Sequence, residues 1–357
     1  MRTAIIGMPQ VGKTSLFTIL TGQAHSGRMG AAAVQIGMAA VPDARLQHLA
    51  EIFHPARLTH ATVEYVDMPA LSKDTLADAG YIGALRLADA FLHVLRLFEE
   101  DTVMHVEGAL DAKRDWRNLE LELLLNDLVV VERRLERVEK DLGRMKNPDL
   151  SLERGLLLQC KEALEAERPL RELALSAEDE KRMRGFQFLS AKPMLLVLNL
   201  GESQADRLEE IEKQYEEQWL GSRPNVAVTA VCGGIEAEIA ELPAEEAREY
   251  RTSYGLKQPG LERLVQATYS LLGLMSFLTA SETEVRAWTI PRNTPAVNAA
   301  GVIHTDFEKK FIRAEVIPWR KLVERNGYAG ARAHGELRLE GKEYVVQEGD
   351  VLLIRHG

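Results

Sequence analysis

The chain has 357 residues, of which 46% are hydrophobic and 27% are charged, and its formal net charge is −10 at pH 7. This length suggests two or three domains, and the acidic balance argues against a protein that coats nucleic acid with its whole surface. Because the two cysteines lack metal-ligand spacing and no apolar run is long enough to span a bilayer, we expect a cytoplasmic protein without a disulfide framework, a zinc site, a membrane partner or DNA.

The first predicted element is a strand from Thr3 to Ile6, which leads into Gly7-Met-Pro-Gln-Val-Gly-Lys-Thr14. This segment matches the phosphate-loop pattern GxxxxGK[ST], and a predicted helix, Thr14 to Leu20, follows it. The two glycines let the backbone wrap around phosphates, and the helix adds its positive dipole end. We therefore expect Lys13 to reach the β- and γ-phosphates and the Thr14 hydroxyl to bind Mg²⁺.

Further apolar runs alternate with helical segments such as Ala44 to Ile52, which predicts an α/β domain with a mostly parallel sheet. These strand-like runs are Thr62 to Val66, Ala90 to Leu95, Met194 to Leu198 and Asn225 to Val231. Ligands of such sheets bind at the carboxyl ends of the strands. Asp67 lies at such an end, so we expect it to hold the Mg²⁺ through a bound water.

The alternation stops between about Leu119 and Glu180, where leucines and other apolar residues recur every three or four positions. A breaker, Gly143 to Pro148, divides this region into two heptad-patterned segments, the second extending to Leu173. Such a pattern predicts an antiparallel helical hairpin that forms a short coiled coil. One long amphipathic helix packed flat on the sheet is the alternative.

The run that ends at Leu198 continues as Asn199-Leu-Gly-Glu202, where GTPases carry the NKxD motif that reads the base. In that motif the Asp accepts hydrogen bonds from guanine, so Glu202 in its place leaves both adenine and guanine open. An ordinary polar turn after a buried strand is an equally good interpretation of these four residues.

The last part of the chain changes in character. An acidic helix from Ile235 to Tyr250 and a helix from Leu261 to about Phe277 are followed by short strand-like runs: Glu284 to Ile290, Phe311 to Ile317, Tyr344 to Val346 and Val351 to Ile354. These runs predict a small, strand-rich C-terminal domain. From 276 to 357, 12 Lys and Arg stand against 11 Asp and Glu, so this domain repels RNA least.

With these segments in this order, the chain resembles the YchF branch of the Obg-like P-loop NTPases, a family that favours ATP over GTP. The resemblance covers essentially the whole chain and is most specific in the C-terminal runs. It implies an α/β P-loop G domain (1–118 and 190–275), an inserted coiled-coil hairpin (119–189) and a β-grasp-like TGS domain (276–357). It also implies Mg²⁺ as cofactor, ATP or GTP as ligand, and the ribosome or ribosomal RNA as partner.

The resemblance also assigns roles to individual residues. Phosphate binding falls to Gly7, Pro9, Gln10, Val11, Gly12, Lys13, Thr14 and Ser15. Base contacts fall to Asn199 and Glu202, and the backbone of Val231, Cys232 and Gly233 completes the base pocket. No side chain is assigned as catalytic base, and Lys13 would stabilise charge in the transition state.

Two positions depart from the family pattern. Ala70 replaces the glycine of the family's DxxG switch sequence, and Ala31 stands at or near the threonine that closes on Mg²⁺ in the first switch. The water-orienting glutamine, which the family lacks, is replaced here by Leu71. These features predict a nucleotide switch with slow hydrolysis. The alternative is a non-hydrolysing adaptor that binds the ribosome or RNA through the TGS domain and the hairpin.

Overall fold

The computed structural model describes residues 1–23, 34–72, 75–76, 78–100, 108–221 and 223–357. The chain forms two compact units, the first from 1–37 with 64–264 and the second from 38–63 with 265–357. In the described ranges, no helix combines the length and the apolar character that crossing a membrane requires.

In chain order, the strands are β1 (Arg2–Ile6), β2 (Gln35–Ala40), β3 (Arg57–Thr59), β4 (Thr62–Asp67), β5 (Ala90–Arg96), β6 (Met194–Asn199), β7 (Val226–Val231), β8 (Leu274–Ala280), β9 (Glu284–Pro291), β10 (Phe311–Pro318), β11 (Arg338–Glu340) and β12 (Asp350–His356). The α-helices are α1 (Lys13–Thr21), α2 (Ala44–Phe53), α3 (Ala79–Arg86), α4 (Ala112–Leu142), α5 (Pro148–Glu165), α6 (Ala177–Met183), α7 (Leu208–Tyr215), α8 (Gly233–Glu241), α9 (Ala244–Ser253), α10 (Gly260–Leu271), α11 (Ala296–Ile303), α12 (Thr305–Lys309), α13 (Trp319–Glu324) and α14 (Tyr328–Ala333). Short 3₁₀ segments lie at Leu170–Glu172, Arg184–Phe186 and Glu202–Arg207, and a π-helical turn at Glu216–Leu220.

The first sheet has the strand order β2-β4-β1-β5-β6-β7. The pairs β1/β4, β1/β5, β5/β6 and β6/β7 are parallel. Strand β6 is buried along its whole length, as expected for a parallel strand covered by helices on both faces. These observations confirm the predicted α/β class. Because the strands are parallel, the carboxyl ends of β1, β4, β5, β6 and β7 lie at one edge of the sheet.

The region that follows β5 folds into a helical hairpin. Helix α4 pairs with α5 through Lys161–Glu132 at 3.0 Å and Arg154–Glu139 at 3.2 Å. From the first pair to the second, the residue number rises along α4, from Glu132 to Glu139, and falls along α5, from Lys161 to Arg154. The two helices are therefore antiparallel. The beginning of α4 packs on the core of the sheet, and its later turns pack on α5.

Two ends of these helices differ from the sequence prediction. Helix α4 begins seven residues before Leu119, because the Asp111 side chain caps it by accepting a hydrogen bond from the Arg114 backbone. Helix α5 ends at Glu165 instead of extending to Leu173, because Glu167 adopts φ 55° and Pro169 has no N–H to continue the helix.

The second unit contains a mixed sheet with the order β11-β10-β12-β8-β9-β3. Strand β3, from the N-terminal third of the chain, completes this sheet by pairing parallel to β9 at Arg57↔Glu284. One face of the sheet packs on α11 through a core that includes Phe277, Val316 and Ala299.

Three further predictions about the C-terminal half were wrong in detail. The helix expected to reach Phe277 ends at Leu271, because Gly273 turns the chain with φ 63° into strand β8. Pro243 divides the acidic helix from Ile235 to Tyr250 into α8 and α9. The run from Tyr344 to Val346 forms only an isolated bridge, between Pro295 and Val345.

Candidate functional site

The phosphate loop leaves β1 through backbone conformations that only glycine adopts freely. Gly7 has φ 149° and Gly12 has φ 94°. A Cβ atom on Gly7 would lie 2.6 Å from the Val94 carbonyl oxygen, and one on Gly12 would lie 2.5 Å from Asn199 Nδ2. Gln10, between them, adopts φ 61° without being glycine. The loop is therefore a tight turn whose backbone could closely surround a bound group.

Helix α1 begins at Lys13 directly after this turn. Gly12 is its N-cap, and no side chain caps the N–H groups of the first turn. Uncapped N–H groups at a helix N-terminus bind anions, because they are hydrogen-bond donors at the positive end of the helix dipole. The position and orientation suit a phosphate group.

The Lys13 side chain turns back to the phosphate loop. Its Nζ donates a hydrogen bond of 2.7 Å to the Met8 carbonyl oxygen. Burial lowers the pKa of the Lys13 ammonium to about 8, and the nearby Asp67 carboxylate opposes that shift. Burial also lowers the pKa of His93 to about 3, with a further contribution from Lys13, so this strand imidazole is neutral.

The two residues predicted to serve Mg²⁺ lie together. The Thr14 hydroxyl donates a hydrogen bond of 2.8 Å to Asp67 Oδ2 at the end of β4. A hydroxyl and a carboxylate are hard oxygen ligands of the kind that Mg²⁺ prefers, usually with several waters retained. The donor set therefore fits this ion.

Asn199 joins the phosphate loop to the next loop along the edge. Its Nδ2 donates to the Val11 carbonyl oxygen and its Oδ1 accepts from the Gly233 N–H, both at 2.9 Å. The side chain is 4% exposed, so both hydrogen bonds are shielded from water. Asn199 therefore fixes two backbone segments relative to each other.

A cavity of about 810 Å³ lies beside this bridge. Of the predicted site residues, Gly12, Ser15, Asn199, Glu202, Cys232 and Gly233 line it. Val231 is instead buried at the end of β7, and Gly7, Pro9, Gln10, Val11, Lys13 and Thr14 lie in the loop outside this lining set. Burial, with Glu236 and Glu202, raises the pKa of the Cys232 thiol to about 12, so this thiol is protonated and unreactive at neutral pH.

The cavity also contains residues that the sequence analysis did not identify. Phe98, Glu99 and Glu100, which follow β5, line it together with Ser203, Gln204 and Gly234. The Arg96 guanidinium lies 4.5 Å from the centre of the Phe98 ring. The sequence signal was limited to their position directly after a buried strand, and only the pairing of β5 with β6 in the structure brings them to this cavity.

The switch positions give a mixed result. The Leu71 N–H donates to the Gly7 carbonyl oxygen at 3.0 Å, so the segment after Asp67 lies against the phosphate loop. Ala70 does not adopt a positive φ, so the backbone conformation at this position does not require glycine. Ala31 lies outside the described residues.

Comparisons with known proteins found relatives that match the chain over nearly its whole length. The family model YchF-GTPase_C, described as a protein of unknown function, matches residues 274–357. The chain is similar to the ribosome-binding ATPase YchF of Bacillus subtilis (strain 168), with 38% identity over 99% of both proteins. It is 32% identical to Obg-like ATPase 1 of Caenorhabditis elegans over 99% of this chain and 92% of that protein. The solved structure of the Schizosaccharomyces pombe YchF GTPase matches with a TM-score of 0.84 at 28% identity, covering 99% of this chain and 97% of that one.

Proposed function

Since the chain belongs to the YchF family, we propose that it is an ATP-binding switch protein of the ribosome that hydrolyses its nucleotide slowly with Mg²⁺. The observation that carries the proposal is the convergence of Lys13, Thr14, Asp67 and Asn199 around one glycine-rich loop. We also propose a cytoplasmic location, because a protein that works at the ribosome must be where the ribosomes are.

The chain's own residues divide the work of the reaction. Thr14 and Asp67 would hold Mg²⁺, which when bound supplies positive charge against the developing negative charge of the phosphoryl oxygens. Lys13 would leave the Met8 carbonyl oxygen and donate to the β- and γ-phosphates. Leu71 stands where GTPases orient water with glutamine, so attack by water depends on positioning and charge alone. Slow turnover follows.

Single-turnover phosphate release and equilibrium ATP binding, measured on the same preparation, test this proposal. We expect Mg²⁺-dependent release below about 1 s⁻¹, and loss of release in Lys13→Ala. Lys146→Glu, an exposed change in the hairpin turn, is the matched control and should leave both quantities unchanged. ATP binding without any phosphate release would replace the switch by the non-hydrolysing adaptor.

The proposed base preference rests on Glu202, which lines the same cavity as the phosphate-loop residues Gly12 and Ser15. The related proteins carry both the ATPase and the GTPase name. We propose that Glu202 favours adenine, because Asp at this position is the residue that accepts from guanine in GTPases. Titration of ATP and GTP against wild type and Glu202→Asp should show ATP preference in the wild type and a gain of GTP affinity in the variant. Equal wild-type affinities would contradict the role of Glu202.

A further inference from the structure

A second cavity, of about 540 Å³, lies where the beginning of α4 meets the π-helical turn Glu216–Leu220. Trp116 from the helix and Trp219 from the turn stack there, with ring centroids 5.5 Å apart and planes 18° from parallel. π-Helical turns are rare and occur frequently at functional sites, because they displace a side chain from its regular helical position. Here the displaced turn carries Trp219 to the wall of the cavity.

An apolar strip on α4 continues from this cavity. Leu121, which lines the cavity, is followed at intervals of four by Leu125 and Val129. These side chains are 42%, 47% and 45% exposed. A spacing of four places them on one face of the helix, along about 12 Å of its length. The hairpin core uses a different face, which carries Leu124 and Val131. The strip is therefore apolar surface that the hairpin itself does not need.

Cationic side chains surround the cavity end of the strip. Lys113, Arg117 and Arg223 line the cavity. Within the described part of the chain, Lys113 and Arg117 have no ion-pair partner. Arg223 lies 5.3 Å from the centre of the Trp116 ring and pairs with Glu172 at 3.7 Å, so the rim owes its net positive charge to Lys113 and Arg117. Glu167 is the opposing acidic group, because the other carboxylate of the lining, Glu120, is neutralised by Arg171 at 2.8 Å. This cationic rim is a local exception on a chain of net charge −10.

We propose that the strip and cavity, here called the α4 docking surface (Trp116, Leu121, Leu125, Val129 and Trp219), bind an acidic amphipathic helix of a partner protein. Apolar anchors at intervals of four would lie on the strip, and flanking carboxylates would meet the cationic rim. Exposed aliphatic side chains offer no hydrogen bonds to RNA bases, so the strip disfavours RNA. A second copy of this chain would bring the same apolar strip and the same cationic rim, without the carboxylates that would complement the rim, which disfavours self-association.

Fluorescence anisotropy with the full-length chain tests the proposal. The probe is a labelled synthetic helix of about 16 residues with Leu at three positions four apart and Glu on both flanks, and its matched control has Lys in place of every Glu. We expect the acidic peptide to bind, more weakly as salt rises, and the basic peptide to bind at least about tenfold more weakly. Leu125→Asp and Arg117→Glu should each weaken acidic-peptide binding about tenfold or more.

Matched variants separate docking from folding. Leu158→Asp, at a leucine of α5 that is 40% exposed, and Lys146→Glu should leave peptide affinity within about twofold. Leu125→Ser is a milder second variant and should also weaken binding. ATP affinity should be unchanged in every variant, because none of these residues lines the nucleotide cavity.

Four results would overturn the proposal. They are equal affinity for the acidic and basic peptides, no binding of the acidic peptide, loss of binding in Leu158→Asp as large as in Leu125→Asp, and tighter binding of a short single-stranded RNA than of the acidic peptide, reduced by Arg117→Glu. Self-association that Leu125→Asp abolishes, seen in sedimentation at rising concentration, would instead assign the surface to a second copy of the chain.

Discussion

Raising the pH is expected to weaken ATP binding through the proton of Lys13. Burial sets the pKa of the free site to about 8, while bound phosphates would raise it by supplying opposite charge. Only the protonated ammonium pairs with phosphate, so the dissociation constant grows in inverse proportion to the protonated fraction of the free site as the pH rises past 8. Between pH 7.5 and 9.0 the expected weakening is about eightfold, or about 1.3 kcal/mol.

Isothermal titration calorimetry in buffers of different ionisation enthalpy measures both the affinity and the protons taken up. At pH 9.0 we expect uptake of close to one proton per ATP bound, and almost none at pH 7.0. Lys13→Arg is the control, because a guanidinium stays protonated throughout this range and should give a flat profile. A flat wild-type profile without proton uptake would refute the reasoning, since Lys13 would then be charged in the free protein at every pH tested.

Three substitutions test other parts of the molecule. Ala70→Gly should change the single-turnover hydrolysis rate by less than about twofold, because this backbone does not need glycine; a rise of an order of magnitude would show that the alanine restrains the switch. Arg171→Met should lower the free energy of unfolding by about 3–5 kcal/mol in urea titrations, because it leaves Glu120 buried and unpaired, whereas breaking a more exposed pair with Arg134→Met should cost less than about 1 kcal/mol. Asn199→Ala should lower the free energy of unfolding by about 2–4 kcal/mol, because the buried Val11 carbonyl oxygen and Gly233 N–H would lose their hydrogen-bond partner. An unchanged urea midpoint would show that Asn199 does not hold these two segments together.

The sequence predicted best those elements whose pattern is dictated by local periodicity. The five strands of the parallel sheet from β1 to β7 that were predicted agree with the structure to within a residue or two at each end. The heptad spacing predicted the hairpin, because apolar residues every three or four positions can face only one side of a helix. The phosphate loop was recognisable because its chemistry requires glycine at Gly7 and Gly12.

The features that sequence reasoning missed depend on contacts between distant segments. Phe98 and Glu100 reach the nucleotide cavity only because β5 and β6 are neighbours, which no local pattern reveals. Strand β8 continues an apolar run that reads equally well as the end of a helix, and Gly273 decides between them by adopting a positive φ. Helix α4 begins earlier than the heptad pattern predicted, and in its first turns Trp116 and Leu119 pack on the sheet instead of on the other helix of the hairpin.

The pairing of β3 with β9 has a consequence for the order of events during synthesis. Residues 38–63 leave the ribosome about 200 residues before the segment 265–357 with which they form the second unit. At about 5–20 residues per second, that interval lasts about 10–40 s. During that time β3 has no sheet to join, and α2 carries its apolar side chains Leu46 and Leu49 without their final partners. Nascent chains of this protein therefore expose an N-terminal segment that only the last quarter of translation can bury.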